Sequence, residues 1–262
     1  MVKSRRRSGT QSVERAVLLL KEITVRSEVG WRLLDLSVQC GLDRGTTHRL
    51  VSCLVRERLA QQHPVNRRYF PGPLLFELGQ SLPAYARFVA ACGPALSRVA
   101  KRIGGTALLY LRSGDDFVCT ARVGYVPIKA LTIDAGTRRP LIVSVGGVAI
   151  LIALPREEAR ALIARNLKRV ARFGAVRIRS LERVIRQSES RGYGISQSEI
   201  VPGVNAYGVA VRDADGVPFG SISVVGSAET FPQTRVPEVI AALEEESHWI
   251  SLQSVRNIST NR

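Results

Sequence analysis

The sequence predicts an α+β protein of two parts, a small N-terminal unit of helices with one hairpin and a larger C-terminal unit of mixed helices and strands. Its 262 residues exceed one typical domain and suggest two. Hydrophobic residues make up 45% of the chain, which is enough to bury a core in each part. Helical spacing of apolar residues dominates the first sixty positions, whereas two strand–turn–strand patterns lie farther along.

The first helix is predicted from an apolar stripe at i, i+3, i+4, i+7 spacing, formed by Val13, Ala16, Val17 and Leu20. Ser12 is the expected N-cap of this helix, because its hydroxyl can accept an unpaired backbone N–H. These positions follow a basic arm and place the first helix at the start of the N-terminal unit.

Two further helices are predicted around a tight turn at Gly41. The stripe of the second helix is Leu33, Leu36, Ser37 and Cys40, and Gly41 suits the left-handed cap that ends it. Asp43 suits the N-cap of the third helix, whose inward stripe is Thr47, Leu50, Val51 and Leu54. Two helices joined by a short glycine-containing turn predict a helix-turn-helix.

The outward face of the third helix carries side chains suited to the major groove of DNA. They are Arg44, Gly45, Thr46, His48, Arg49 and Ser52. Arginine can bind guanine edges or phosphates, and threonine and histidine can hydrogen-bond to either. Any solvated helix face carries such residues, so the pattern alone leaves that alternative open.

A hairpin wing is predicted from the segments 59–62 and 67–70, which flank a turn-rich tetrapeptide at 63–66. Arg67 and Arg68 are expected near its tip, where they would contact phosphates or the minor groove. A metal site of His63 with Cys53 or His48 lacks ligand spacing, so no metal is expected.

The rest of the chain alternates helical and strand patterns around one long apolar run. Helices are predicted over 73–82, ended by Pro83, and over 92–103, 155–165 and 180–191, with a closing helix through Val236 and Leu243. Hairpins are predicted at 106–123 and 205–225. The run 141–154 is shorter than the roughly 20 residues of a membrane span and indicates buried core. Helices grouped around an antiparallel sheet leave a concave face that can bind a small ligand.

The charge of the chain indicates a polyanionic partner. Lysine and arginine total 38 against 22 acidic residues, a net charge of +16, which makes nucleic acid the first partner to consider. Residues 1–72 hold 14 basic and 6 acidic residues and the rest holds 24 and 16, so each part carries about +8. The basic stretch 156–186 is open to three interpretations: steering DNA, contacting an acidic partner, or simple solvation.

Five segments carry a family resemblance when taken in order and spacing. They are QSVERAVLLL at 11–20, CGLDRGTTHRLVSCLVRERL at 40–59, RRYFPGPLLFELG at 67–79, RGYGIS at 191–196 and EIVPGVNAYGVAVRDADG at 199–216. Together they resemble the isocitrate lyase regulator (IclR) family of bacterial repressors and activators over nearly the whole chain.

The resemblance implies a winged helix-turn-helix DNA-binding domain at 1–72, a linker helix at 73–90 and an effector-binding domain at 91–262 with a GAF-like or PAS-like α/β fold. It also implies homodimers, often paired as tetramers, on palindromic or repeated operators. The family usually has Ser or a similar polar residue where this chain has Gly45, so the operator sequence cannot be transferred.

By the same resemblance, the effector pocket is lined by Leu131, Arg139, Ser144, Val145, Gly146, Ser196, Val204, Asn205, Ala206, Ser223 and Val225. A frequent pocket Cys or Ser is replaced by Ala206 and Val225, which predicts a more apolar pocket. Arg138 and Arg139 could clamp a carboxylate, which predicts an aromatic or aliphatic acid as effector; an exposed basic turn before Pro140 is the alternative.

Other classes of function lack the motifs they need. The chain has no GxSxG elbow, no GxxxxGK[ST] phosphate loop and no HExxH, so neither an enzyme nor a bound cofactor is expected. The four cysteines show no CxxC spacing and favour a reducing cytoplasm, and no secretion signal is evident. The competing hypothesis is a nonspecific basic nucleic-acid-binding protein, which would not need some 180 residues after the winged helix.

Overall fold

Residues 10–125 and 133–257 are described in a computed structural model, whose contacts divide the chain into two units, Met1–Pro83 and Ala84–Arg262. The predicted linker segment 73–90 contains the short helix α4 (Leu74–Gln80) and the start of α5 (Pro83–Ile103). Pro83 therefore begins a helix, because proline is tolerated in a first turn, where its missing N–H would have no partner. The domain boundaries at 72 and 90 stay predictions.

The first unit is a helix-turn-helix followed by a two-stranded wing. Its elements are α1 (Gln11–Val25), α2 (Leu33–Cys40), α3 (Arg44–Arg56), β1 (Ala60–Gln62), β2 (Tyr69–Pro71) and α4. Gly41 caps α2 in the left-handed conformation, with φ of 62°, as the sequence predicts. β1 and β2 pair antiparallel, and Trp31 bridges to Tyr69, so the wing is joined to the segment between α1 and α2.

The predicted inward face of α1 is wrong by part of a turn. Val13 is 63% exposed, whereas Leu19 and Ile23 are fully buried in the core of this unit. The helix begins at Gln11, so Ser12 lies inside the first turn and is not the N-cap. Ala16, Leu19, Leu20 and Ile23 form a second stripe with the same spacing. Periodicity alone could not choose between two such stripes, and packing against α2 and α3 decides.

The second unit is built on a six-stranded antiparallel sheet with the strand order β5-β4-β3-β8-β7-β6. The strands are β3 (Thr106–Ser113), β4 (Asp116–Val123), β5 (Arg138–Pro140), β6 (Gly194–Gln197), β7 (Val204–Arg212) and β8 (Pro218–Ser227). Both predicted hairpins are confirmed, since β3 pairs with β4 and β7 pairs with β8.

Helices cover both faces of this sheet. One face packs against α5 and α9 (Val236–Asn257), and the other against α6 (Val145–Ala153), α7 (Arg156–Val170) and α8 (Ala175–Arg191). Alternation along a strand divides the two cores, so Leu109 faces the α5 side and Leu108 the α6 side. The apolar run 141–154 contains α6 and is largely buried, as predicted. α7 and α8 each extend about five residues beyond their predicted bounds.

Candidate functional site

The outward face of α3 is held in place by a capped helix start. The Thr46 backbone N–H donates to Asp43 Oδ1 at 2.8 Å, and this hydrogen bond lowers the pKa of the Asp43 carboxyl. Thr47, Val51 and Leu54 are buried, which turns the opposite side of the helix to solvent. The predicted DNA-binding residues on that side are exposed, namely Arg44, Gly45, His48, Arg49 and Ser52, while Thr46 is half-buried.

The two wing arginines point to different surroundings. Arg67 is exposed, whereas Arg68 is half-buried and donates to the Gly30 carbonyl oxygen at 3.1 Å. The wing therefore leaves Arg67 exposed to solvent, while Arg68 holds the wing against the loop after α1. His63 also has a local role, since its Nδ1 accepts from the backbone N–H groups of Val65 and Asn66 in the turn. The turn-rich tetrapeptide suggested a turn but not this contact.

The second unit contains a cavity of about 150 Å³ between the sheet and the α6–α8 layer. Seven of the predicted effector-pocket residues line it: Arg139, Ser144, Val145, Ser196, Val204, Ala206 and Val225. The remaining described lining consists of Tyr110, Ile133, Val143, Arg177, Ile200 and Val201. Leu131 lies outside the described residues. The fold thus gathers residues from both hairpins, α6 and α8 around one space.

Three other predicted pocket residues do not line this cavity. Gly146 packs under the Tyr110 ring so closely that a Cβ there would lie 2.2 Å from the ring. Asn205 donates from Nδ2 to the Phe231 carbonyl oxygen at 2.9 Å. Ser223 is buried beside Tyr110. Burial also raises the pKa of the Tyr110 phenol, so this group is a neutral hydroxyl at the cavity wall.

Two arginines give the cavity a positive end. Arg139 enters from β5 and Arg177 from the first turns of α8, where it donates to the Ile200 carbonyl oxygen at 2.5 Å. Burial lowers the pKa of both guanidinium groups, and the charge of Arg139 lowers the pKa of Arg177 further. Both remain cations at neutral pH. Arg177 was not predicted as a pocket residue, because its place in a basic stretch resembles that of its exposed neighbours.

The predicted clamp of Arg138 with Arg139 is wrong, because adjacent strand residues point to opposite sides. Arg138 donates from Nε to Asp116 Oδ2 at 2.9 Å, and Arg169 of α7 reaches the same carboxylate. Arg165 binds both oxygens of Asp115. Arg165 and Arg169 of the basic stretch 156–186 thus hold α7 against the β3–β4 turn. Simple solvation therefore does not account for every cation of that stretch.

Within residues 10–125 and 133–257, no group of three or more His, Cys, Asp or Glu side chains could hold a metal ion. No helix in those ranges is long and apolar enough to cross a membrane.

Family models match both parts of the chain. A family model described as bacterial transcriptional regulator IclR C-terminal matches residues 80–252, and the IclR helix-turn-helix domain matches residues 12–64. The chain belongs to the IclR family of transcriptional regulators. This IclR-family protein is 26% identical over 253 residues to the HTH-type transcriptional repressor AllR of Klebsiella pneumoniae, covering 96% of this chain and 90% of that protein. AllR of Escherichia coli K12 is 24% identical over 87% of this chain and 84% of its own length.

Solved structures show the same fold. An IclR-family regulator from Brucella abortus superposes with a TM-score of 0.75 at 21% identity, covering 96% of this chain and 95% of that one. An IclR homologue from Microbacterium hydrocarbonoxydans, in complex with 4-hydroxybenzoate, superposes with a TM-score of 0.65 at 20% identity. The match covers 92% of this chain and 98% of that one. The predicted fold class and the predicted role as a DNA-binding transcription regulator with an effector domain are confirmed.

Proposed function

We propose that this IclR-family regulator binds operator DNA through α3 and the wing, and that a small monocarboxylic acid in the cavity between Arg139 and Arg177 changes its affinity for DNA. The convergence of two guanidinium groups on one largely apolar space carries the proposal. Effector binding would shift the population between states that differ in DNA affinity. The regulator would act in the cytoplasm.

The cavity suits a carboxylic acid that carries one small apolar group. No acidic side chain is present among the described residues that line it, so a bound carboxylate would bring the negative charge that the two arginines favour. Val143, Val204 and Val225 offer apolar contact to a ring or an alkyl chain. A volume of about 150 Å³ is the size that holds one benzene ring. The 4-hydroxybenzoate bound to a relative of the same fold belongs to this class.

Calorimetric titration of the full-length protein with benzoate, 4-hydroxybenzoate and cyclohexanecarboxylate tests the cavity, with benzamide as the neutral control. Arg139→Gln and Arg177→Gln should each weaken acid binding about 10- to 100-fold, because each removes a charged hydrogen bond worth about 1.5–3 kcal/mol. Arg179→Gln is the matched control, since Arg179 is exposed on the same helix. This site is refuted if the acids bind no more tightly than benzamide, or if neither substitution lowers their affinity.

Operator binding is tested with the chain's own upstream DNA and random duplex as competitor at one salt concentration. Arg44→Ala and Arg49→Ala should each cost about 1–3 kcal/mol per lost base contact. Arg56→Ala is the control, because Arg56 is exposed at the end of α3, beside Glu57. Equal affinity for operator and random duplex would favour the nonspecific alternative, and unchanged affinity in both variants would exclude this face.

A homodimer is the assembly that the first unit supports best. Phe76 of α4 is 72% exposed, and Leu78 and Leu82 beside it are also exposed. Several large apolar side chains exposed within one short segment favour a protein–protein contact there. A dimer would present two recognition helices to successive half-sites. Sedimentation should show that Phe76→Ser weakens self-association while Glu77→Gln does not; a monomeric wild type would contradict the assembly.

A further inference from the structure

The positive charge of the second unit is concentrated in one segment. Residues 155–191 contain 11 basic and 4 acidic residues, a net charge of +7 out of +16 for the whole chain. The other residues after position 72, namely 73–154 and 192–262, hold 13 basic and 12 acidic residues, which nearly cancel. The segment consists of α7, a short 3-10 turn and α8. The basicity beyond the winged helix therefore belongs almost entirely to these two helices.

α7 and α8 both expose much of this charge to solvent. Leu162 of α7 and Leu181 and Val184 of α8 are buried in the same apolar cluster as α6, so the two helices lie in one layer. The opposite sides of both helices face solvent. We define the basic face as the exposed cations of α7 and α8 that take part in none of the ion pairs of the described residues: Arg156, Arg160, Lys168, Arg179, Arg183, Arg186 and Arg191.

The basic face is distinct from the arginines that the fold itself uses. Arg165 and Arg169 bind the carboxylates of the β3–β4 turn, and Arg177 lines the cavity. Among residues 10–125 and 133–257, no ion pair involves any residue of the basic face. These exposed charges therefore contribute mainly to the external field of the domain, which attracts polyanions.

We propose that the basic face binds the phosphate backbone of duplex DNA, as a sequence-independent contact in addition to α3 and the wing. Arg179, Arg183 and Arg186 lie at i, i+4 and i+7 and span about 10 Å along the helix axis. One DNA strand presents about three phosphates over that length. Six of the seven cations are arginines, whose planar forks match phosphate oxygens.

Covalent connection to the winged helix favours DNA over an acidic protein as the partner. Once α3 occupies a site, a second weak contact on the same chain becomes intramolecular and gains effective concentration. A contact of this kind raises affinity without sequence preference, because phosphates carry no base information.

The salt dependence of binding to a long random-sequence duplex tests the proposal in the full chain. Each phosphate contact contributes about 0.9 to the slope of log K against log salt concentration. The triple variant R179Q/R183Q/R186Q should therefore lower the slope by about 2.7. The control R87Q/K101Q/R102Q removes the same charge from exposed residues of α5 and should leave the slope unchanged.

A second variant and a crosslinking experiment test the basic face without relying on the triple variant alone. R160Q/K168Q on α7 should also lower the slope, and circular dichroism checks that each variant is folded. Benzoylphenylalanine at Ser190, exposed on α8, should crosslink to DNA, whereas the same group at His248, exposed on α9, should not. The proposal is overturned if both basic-face variants keep the wild-type slope, as expected for an acidic protein partner. It is also overturned if the α5 control loses as much slope as they do.

Discussion

The two candidate sites of this regulator are built in opposite ways. The DNA-binding residues predicted on α3 lie within nine positions of that helix, and most of their side chains are exposed. The cavity takes its lining from strands and helices spread between Tyr110 and Val225, and much of that lining is buried. A solvated face tolerates changes in side-chain size, whereas a site lined by core side chains couples ligand binding to core packing. Substitution should therefore affect mainly binding in the first site, and both binding and stability in the second.

The arginine pairs show the same contrast at the level of single residues. Arg67 is exposed on the wing and Arg139 lines the cavity. Their neighbours Arg68 and Arg138 bind the protein itself, through the Gly30 carbonyl oxygen and the Asp116 carboxylate. In each pair one arginine lies at a candidate site, and the other binds a neighbouring group of the protein. The side of the strand or turn on which each arginine lies thus decides its surroundings.

The largest expected effect compares Gly45, on the exposed face of α3, with Gly146, which packs beneath the Tyr110 ring of the cavity wall. Gly146→Ala should destabilise the second unit by about 3 kcal/mol, because its Cβ would overlap the Tyr110 ring. Gly45→Ala should stabilise the first unit by about 0.5–1 kcal/mol, because Gly45 is helical and its Cβ would meet only Asp43 Oδ1, at 3.4 Å. Urea unfolding measures both changes.

The two tryptophans report on the two units separately. Trp31 lies in the first unit and Trp249 in the second, so the variants Trp249→Phe and Trp31→Phe each leave one fluorescent reporter. Equal tolerance of alanine at Gly45 and Gly146 would contradict the contrast between the solvated face of α3 and the packed wall of the cavity.

A smaller effect should separate the two wing arginines. Arg68→Ala should lower the stability of the first unit by about 1 kcal/mol, because it removes a hydrogen bond to the Gly30 carbonyl. Arg67→Ala should leave stability within about 0.5 kcal/mol and lower the salt slope of DNA binding by about one. Trp31 fluorescence and DNA titration measure the two properties. A stability loss for Arg67→Ala alone would reverse the roles assigned to this pair.

The smallest effect is a pH dependence at the start of α3. The Thr46 N–H lowers the pKa of Asp43 below its ordinary value of 3.8, so the ionised cap stabilises the folded unit above that pH. This contribution is lost as pH falls through the lowered pKa. Asp43→Asn keeps a capping oxygen that does not titrate. This variant should show a smaller difference in the free energy of unfolding between pH 6 and pH 3, followed by Trp31 fluorescence. An identical pH dependence in the variant would assign the loss to other groups.

Much of the first unit was predictable because its signals are local. Gly41 and Asp43 act within one or two turns of their own positions, so the helix ends around them follow from residue type. α1 was less certain, because two stripes with the same spacing compete and only contact with other helices selects one. The cavity depended mainly on family resemblance, and Arg177 had no local signal at all.

The sequence by itself determined the two-part organisation, the helix-turn-helix, both hairpins of the sheet and the buried run 141–154. These features rest on hydrophobic period, caps and turn residues, which act over a few positions. Tertiary structure alone decided that Arg177 joins Arg139, that Arg138 turns to Asp116, and that Gly146 supports Tyr110. Strand register and helix packing bring distant residues together, and no local spacing encodes those distances.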